Sequence, residues 1–165
     1  MGFFSKLFSK KETVNPNHLY APMTGKAVPI TEVPDPTFSE GLLGNGIAII
    51  PTDGKVCAPC DATVETMFST GHAVALTSTT GAELLIHVGL ETVGLNGAPF
   101  TVHVKDGDKV TKGQLLFEAD LAAIQAAGLP IITPVLVCNP DDFSTFNTTV
   151  GQDVTNDDVV VELGK

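Results

Sequence analysis

Two histidines, His72 and His87, stand at the ends of an apolar segment that contains a single turn signal. Alternating apolar residues on either side of residues 78–81 are typical of two strands joined by a hairpin turn. With the turn centred between Thr79 and Thr80, His72 is directly opposite His87. Opposed side chains of an antiparallel pair share one face, with Cβ atoms about 4.5–5.5 Å apart. Two facing imidazoles could supply a nucleophilic nitrogen with a hydrogen-bond donor beside it, or two ligands of a zinc ion.

The length of the hairpin loop decides whether the two rings share a face. A two- or four-residue loop, or a later bulge that restores the register, brings His72 and His87 together. A three-residue loop that ends in Gly81 with a bulge shifts the pairing by one residue and sends the rings to opposite faces. The spacing alone therefore fits two unrelated histidines on a half-buried strand pair equally well.

The composition predicts one all-β domain. The chain has 165 residues, 43% of them apolar, with 16 glycines and 11 prolines, and its short β-branched runs favour a sandwich or barrel over helices. The net charge of −10 argues against nucleic acid as a partner and favours proteins with basic docking patches. We find neither an apolar run of membrane-spanning length nor a secretory signal, so we expect a bacterial cytoplasmic protein.

Residues 1–17 differ from the rest of the chain, and we expect the folded domain to comprise residues 18–165. The spacing of apolar residues and lysines in residues 1–17 is that of an amphipathic helix. One side would carry Phe3, Phe4, Leu7 and Phe8, and the other side would carry Lys6, Lys10 and Lys11. A basic amphipathic segment on an acidic protein predicts a contact with the membrane surface. The alternative is a disordered start, or one that packs on the domain.

An internal repeat and one short helix are predicted within the domain. The phrases at residues 21–28 and 56–64 both contain Ala-Pro followed by a turn-like pair and an apolar residue, which suggests a repeated strand–turn–strand unit. Residues 120–127 are predicted to form the one helix of the domain, ended by Gly128 and Pro130.

Cys57 and Cys60 form a Cys-x-x-Cys pair that could be redox-active or metal-binding. Their flanks are typical of strands, whereas the redox motif needs a helix N-terminus. Only Cys138 remains, so a four-cysteine zinc site is excluded. We therefore expect a structural role for this pair.

Residues 81–93, Gly-Ala-Glu-Leu-Leu-Ile-His-Val-Gly-Leu-Glu-Thr-Val, resemble the active-site signature of the glucose-family enzyme IIA of the bacterial phosphoenolpyruvate-dependent sugar phosphotransferase system. The resemblance covers nearly the whole chain through Ala-Pro at 21–22, Gly-Asn-Gly-Ile-Ala-Ile at 44–49, Ala-Pro at 58–59, Thr-Gly-His-Ala at 70–73 and Thr-Pro-Val at 133–135. The amphipathic start is also similar to that of free-standing members. One departure is Glu91, where members of the family usually carry Asp.

The resemblance implies a β-sandwich or flattened barrel with a duplicated hybrid motif, at most one or two short helices, and a shallow apolar depression around two facing histidines. His87 would accept a phosphoryl group on Nε2, and His72 would stabilise that group. The Thr70 hydroxyl would orient His72, and the Gly89 carbonyl would orient His87. The depression would be lined by Ile47, Val88 and Phe38 or Phe68.

The function implied by the resemblance is that of a phosphocarrier and phosphotransferase component. It would take a phosphoryl group from phospho-HPr and pass it to the IIB domain of a sugar permease, with glucose as the default sugar. It would be a monomer without an obligatory cofactor. Its unphosphorylated form would bind regulatory targets such as glycerol kinase or non-PTS permeases.

The residues also fit two alternatives. A zinc-binding protein or hydrolase could use His72 and His87 as half of a metal site. Zinc peptidases that share the hybrid β-motif carry an additional His-x-His and an Asp, and no His-x-His occurs here. The other alternative is a pure interaction module. Zinc at an interface, completed by a carboxylate of a partner, is compatible with the phosphocarrier.

Overall fold

A computed structural model of the chain describes residues 15–164. Its fourteen strands are β1 (His18–Tyr20), β2 (Gly25–Pro29), β3 (Asn45–Pro51), β4 (Lys55–Cys57), β5 (Ala62–Met67), β6 (Ala73–Ser78), β7 (Glu83–His87), β8 (Phe100–Val102), β9 (Lys109–Val110), β10 (Leu115–Ala119), β11 (Thr133–Val137), β12 (Thr145–Thr148), β13 (Asp153–Val154) and β14 (Val159–Gly164). The predicted tail falls largely on residues 1–14, outside the described residues, so its amphipathic and disordered alternatives both stay open.

The strands form one large sheet and two small ones. The eight-stranded sheet has the order β13-β2-β3-β11-β7-β6-β5-β9, and the three-stranded sheets have the orders β1-β14-β12 and β4-β10-β8. The main core contains side chains of all three sheets, for example Leu19, Ile47, Ile86, Phe117 and Val161. The small sheets therefore cover one face of the large sheet, and the predicted β-sandwich is confirmed.

Two short α-helices lie on the surface of this sandwich. Helix α1 (Pro36–Ser39) begins after Asp35, whose carboxylate accepts a hydrogen bond from the Thr37 amide. Helix α2 (Leu121–Ala126) begins after Asp120, whose carboxylate accepts from the Ala123 amide, and the sequence predicted this helix. The described residues also contain 3₁₀ turns at Ile30–Glu32, Thr92–Leu95 and Pro140–Asp142.

The predicted internal repeat relates two halves of the sandwich. The Tyr20 amide donates to the Pro59 carbonyl at 2.9 Å, and the Cys57 amide donates to the Pro22 carbonyl at 2.8 Å. The proline carbonyl of each Ala-Pro pair therefore accepts a hydrogen bond from the strand that precedes the other Ala-Pro pair. The order of the large sheet follows the same symmetry, because β13 pairs with β2 at one edge as β9 pairs with β5 at the other.

A second, smaller core lies on the opposite face of the large sheet. It is formed by Val28, Val33, Phe38, Ala48, Leu90 and Leu136. Along β7 the side chains alternate, so Leu84 and Ile86 point into the main core while the less buried Leu85 packs against the small one. By the same alternation His87 lies on the face of the small core.

The register of the β6–β7 hairpin differs from the one that places the two histidines opposite each other. Ala73, and not His72, is paired with His87. The loop has three residues and ends in Gly81, which adopts a φ of +91°. The Ser78 hydroxyl accepts a hydrogen bond from the Ala82 amide at 2.9 Å and closes this loop. The centred-turn register was therefore wrong, and the three-residue alternative is the one the chain adopts.

Candidate functional site

The two histidine rings are in contact despite the shifted register. Their centroids are 4.9 Å apart and their planes cross at 81°. A phenylalanine lies against each ring, with Phe38 5.1 Å from His87 and Phe68 5.4 Å from His72 between centroids. The four rings form a continuous aromatic row, which we call the histidine site.

A bend before β6 explains how the rings meet. His72 precedes the first residue of the strand, and its carbonyl still accepts a hydrogen bond from the Val88 amide at 2.8 Å. Gly71 has a φ of +71°, a conformation that favours glycine. A Cβ atom at this position would lie 2.7 Å from the Cβ of Phe100. The bend therefore needs a glycine both for its backbone and for its close packing against β8. The sequence analysis allowed for a later bulge that restores the contact but did not place it at Gly71, although an isolated glycine in a strand pattern often marks a bulge or a tight bend.

The Nδ1 atom of each ring is held by a hydrogen bond. The Thr70 Oγ1 lies 2.6 Å from Nδ1 of His72, and the Gly89 carbonyl oxygen lies 2.9 Å from Nδ1 of His87. A carbonyl only accepts, so His87 carries its proton on Nδ1 and a lone pair on Nε2. Thr70 and Gly89 thus occupy the positions expected for orienting groups.

The Nε2 atoms are open to the surface. Among residues 15–164 neither Nε2 makes a hydrogen bond, and no buried side-chain nitrogen or oxygen in that part of the chain lacks a partner. Each Nε2 is consequently accessible, although the His72 side chain as a whole is buried. The site therefore presents the His87 lone pair at the surface, within a row of rings of which Phe38 is buried and Phe68 is exposed.

Burial keeps both rings neutral near pH 7. It lowers the pKa of His72 to about 4, and the neighbouring His87 acts in the same direction. Burial also lowers the pKa of His87, while the hydrogen bond to the Gly89 carbonyl and the carboxylates of Asp35 and Glu91 raise it to a smaller extent. A neutral imidazole is the nucleophilic form.

Two of the residues expected to line the depression lie elsewhere. Ile47 and Val88 are completely buried in the main core, because their side chains point to the face opposite His87. Phe68, which contacts His72, is an exposed large apolar side chain. Leu42, Leu43 and Val93 are also exposed and lie close in sequence to Phe38 and Glu91. Both phenylalanines expected as alternatives contact the rings.

The metal-binding and redox alternatives gain little from the geometry. The described residues contain no group of three or more His, Cys, Asp and Glu side chains that could hold a metal ion, so His72 and His87 form at most half of a site. Cys57 and Cys60 are buried free thiols, and burial raises the pKa of Cys60 to about 12. Because the thiolate is the reactive form, this pair is inert at neutral pH.

Comparison with known proteins identifies the family. Residues 17–143 match the family model described as phosphoenolpyruvate-dependent sugar phosphotransferase system, EIIA 1. This chain belongs to that family. It is a IIA-type component with a phosphoryl-transfer role in a sugar phosphotransferase system, as the sequence predicted.

The relatives of this IIA chain include free-standing and fused proteins. It is 45% identical to the glucose-specific EIIA component of Halalkalibacterium halodurans, with 87% of each chain covered. It is 48% identical to the β-glucoside-specific EIIBCA component of Bacillus subtilis, but spans only about a fifth of that protein's length. The glucose permease IIA structure from Mycoplasma capricolum has a TM-score of 0.77 and 29% identity, and 87% of this chain and 93% of that chain are covered.

No helix in the described part of the chain is a candidate for crossing a membrane. Within residues 15–164, neither α1 nor α2 has the length or the apolar character that a bilayer crossing needs.

Proposed function

We propose that this IIA component accepts a phosphoryl group from phospho-HPr on Nε2 of His87 and passes it to the IIB domain of a sugar permease in the cytoplasm. The observation that carries the proposal is the 2.9 Å bond between Nδ1 of His87 and the Gly89 carbonyl, which leaves the lone pair on the accessible Nε2. The names of the free-standing relatives favour glucose as the sugar of the cognate permease.

In the uptake step, the Nε2 lone pair of His87 attacks phosphorus. A nitrogen–phosphorus bond forms as the bond to the donor breaks, and the electron pair of that bond leaves with the donor. The Nδ1 proton stays in its bond to the Gly89 carbonyl throughout. Onward transfer to the IIB domain repeats the exchange in reverse, with His87 as the leaving group. Since phosphoryl transfer requires mainly positioning and charge stabilisation, no other group has to form a covalent bond.

His72 would stabilise the transferred group. When the Thr70 hydroxyl donates to Nδ1 of His72, the proton of the His72 ring lies on Nε2 and can be donated to a phosphoryl oxygen. The ring contact of 4.9 Å places this donor next to the acceptor nitrogen. Thr70 therefore acts through His72, by fixing its tautomer.

The apolar surface around the histidine site would exclude water when a partner protein docks. Phe38 and Phe68 flank the rings, and Val93 is half exposed nearby in sequence. A phosphorylated His87 that is shielded in this way transfers its group to the next protein and does not lose it to hydrolysis. The test is reconstitution: the chain is incubated with phosphoenolpyruvate, enzyme I and HPr, and acid-labile phosphate is measured. A chain that remains unlabelled would contradict the proposal.

We further propose that the N-terminal tail contacts the membrane and aids delivery to the permease. Deletion of residues 1–11 removes Lys6, Lys10 and Lys11, and electrostatic attraction to anionic lipids decreases by about 1 kcal/mol for each lysine near the surface. We expect uptake from phospho-HPr to be unchanged and binding to anionic vesicles to weaken at least tenfold in a flotation assay. Equal vesicle binding with and without the tail would show that it does not contact membranes.

Zinc bridging is a second property proposed for the histidine site. The Nε2 of His87 carries a lone pair, and the Nε2 of His72 carries one when Nδ1 of that ring donates to Thr70. In that tautomer the pair supplies two of the four ligands that zinc prefers, and a carboxylate from a docked regulatory protein such as glycerol kinase or a non-PTS permease would add a third. We expect zinc to strengthen that binding at least tenfold in calorimetry with the unphosphorylated chain, and His72→Ala to remove the zinc effect. Affinity that is independent of zinc would exclude the bridge.

A further inference from the structure

The turn that follows β7 carries the carbonyl group on which the tautomer of His87 depends. Two residues of this turn adopt left-handed backbone conformations, Gly89 at a φ of +73° and Glu91 at +62°. This conformation is uncommon for a glutamate and costs energy, so contacts elsewhere must hold the turn. In this folded-back form the Gly89 carbonyl points to Nδ1 of His87.

Thr92 lies beneath the turn and is completely buried. Its hydroxyl donates a hydrogen bond of 2.6 Å to the Val88 carbonyl, across the two left-handed residues. Its γ-methyl group fills the space under Gly89, since a Cβ atom on Gly89 would lie 2.7 Å from it. One side chain thus contacts the turn both through a hydrogen bond and through packing.

The contacts of Val88 connect Thr92 to both histidines. The Val88 amide donates to the His72 carbonyl at 2.8 Å, and the Val88 carbonyl accepts from Thr92. The next carbonyl along the chain is that of Gly89, which accepts from His87. A shift of the Val88–Gly89 peptide would therefore move the acceptor of the His87 proton.

We propose that Thr92 is a positioning residue that holds the Gly89 carbonyl in line with Nδ1 of His87 and so keeps the lone pair of that ring on Nε2. This inference rests on the proposed acceptor role of His87 for its functional consequence, although the tautomer itself is independent of that role. Which nitrogen of a neutral imidazole carries the proton is set by the hydrogen bond of the other. In metal sites, loss of a group that orients a ligating histidine typically costs about 10- to 100-fold in affinity or activity, and we take the lower end of that range for Thr92.

Two substitutions separate the hydroxyl of Thr92 from its shape. Thr92→Val keeps the branched side chain and removes the donor, whereas Thr92→Ser keeps the donor and removes the methyl group. We expect Thr92→Val to populate both tautomers of His87 in ¹⁵N NMR of the ring nitrogens, and to slow phosphoryl uptake from HPr by roughly tenfold. We expect Thr92→Ser to retain the wild-type tautomer and an uptake rate within about twofold of wild type, with a lower thermal midpoint.

Thr133 provides a matched control. It is also completely buried, and its hydroxyl donates to a single carbonyl, that of Ile131, at 2.9 Å. Thr133→Val should lower the thermal midpoint without changing the tautomer of His87. If Thr92→Val does not fold, Thr92→Ala, which differs from Thr92→Ser only in the missing hydroxyl, should change the tautomer and the uptake rate in the same direction.

Failure of the proposal for Thr92 can be distinguished from failure of the proposed acceptor role of His87. A wild-type tautomer and uptake rate in folded Thr92→Val or Thr92→Ala, even with reduced stability, would show that Thr92 has only a structural role. Failure of the acceptor proposal would appear differently, as phosphate uptake that persists without His87, and would leave the NMR result on the tautomer standing.

Discussion

Replacement of His87 by glutamine is expected to abolish phosphoryl uptake. Incubated with phosphoenolpyruvate, enzyme I and HPr, the His87→Gln variant should incorporate no acid-labile phosphate, a loss of at least about a thousandfold. The amide nitrogen of glutamine has no available lone pair, so it cannot replace Nε2 as the nucleophile. The measurement is incorporation of label from ³²P-phosphoenolpyruvate, followed by its release in acid.

His103→Gln is the matched control for this experiment. His103 lies on the surface, and its Nε2 is 2.7 Å from the Glu118 carboxylate. The same substitution at this position should leave uptake at the wild-type rate. Labelling of His87→Gln to the wild-type level would place the acceptor elsewhere. A circular dichroism spectrum that matches wild type would show that loss of labelling does not reflect unfolding.

Replacement of His72 is expected to affect delivery more than uptake. His72→Gln keeps the His87 nucleophile, and we expect it to be phosphorylated by HPr. The new amide is not fixed by Thr70, so no donor is held against the phosphoryl oxygens while the bond to His87 breaks. Loss of one preorganised donor typically reduces a rate by roughly 100- to 1000-fold. We therefore expect transfer to the IIB domain to fall at least about a hundredfold.

The two half-reactions can be measured separately. Purified phosphorylated His72→Gln is mixed with a IIB domain, and the decay of the phosphorylated chain is followed by rapid quench. His18→Gln, which alters a surface histidine 3.3 Å from the Glu162 carboxylate, serves as the control and should transfer normally. Normal onward transfer by His72→Gln would remove His72 from the mechanism.

The sequence predicted the fold and the pair of histidines, but not the backbone geometry that brings the two rings into contact. The alternating pattern of residues 74–88 indicates strands whatever the loop length, whereas the register depends on the Ser78 hydroxyl and on Gly81. Those two residues select a three-residue loop, which in regular strands would separate the rings. The bend at Gly71 offsets that shift, and its need for glycine becomes visible only when Phe100 is placed beside it.

The lining of the site was predicted only in part, because the sequence motifs do not show which way each side chain points. Ile47 and Val88 belong to the sequence motifs, but the alternation of side chains along the strands directs them into the main core. Phe38 reaches His87 from α1, a four-residue helix that begins at a proline and gives almost no periodic signal. The role proposed for Thr92 depends on a buried contact across a turn, which spacing does not reveal.

The central claim, that Nε2 of His87 carries the phosphoryl group, is tested most directly by NMR of the phosphorylated chain. The protein is labelled with ¹⁵N at histidine and phosphorylated through HPr, and coupling between ³¹P and the ring nitrogens is recorded. The geometry predicts coupling of phosphorus to Nε2 of His87, with the proton still on Nδ1. Coupling to Nδ1 of His87, or to either nitrogen of His72, would contradict it.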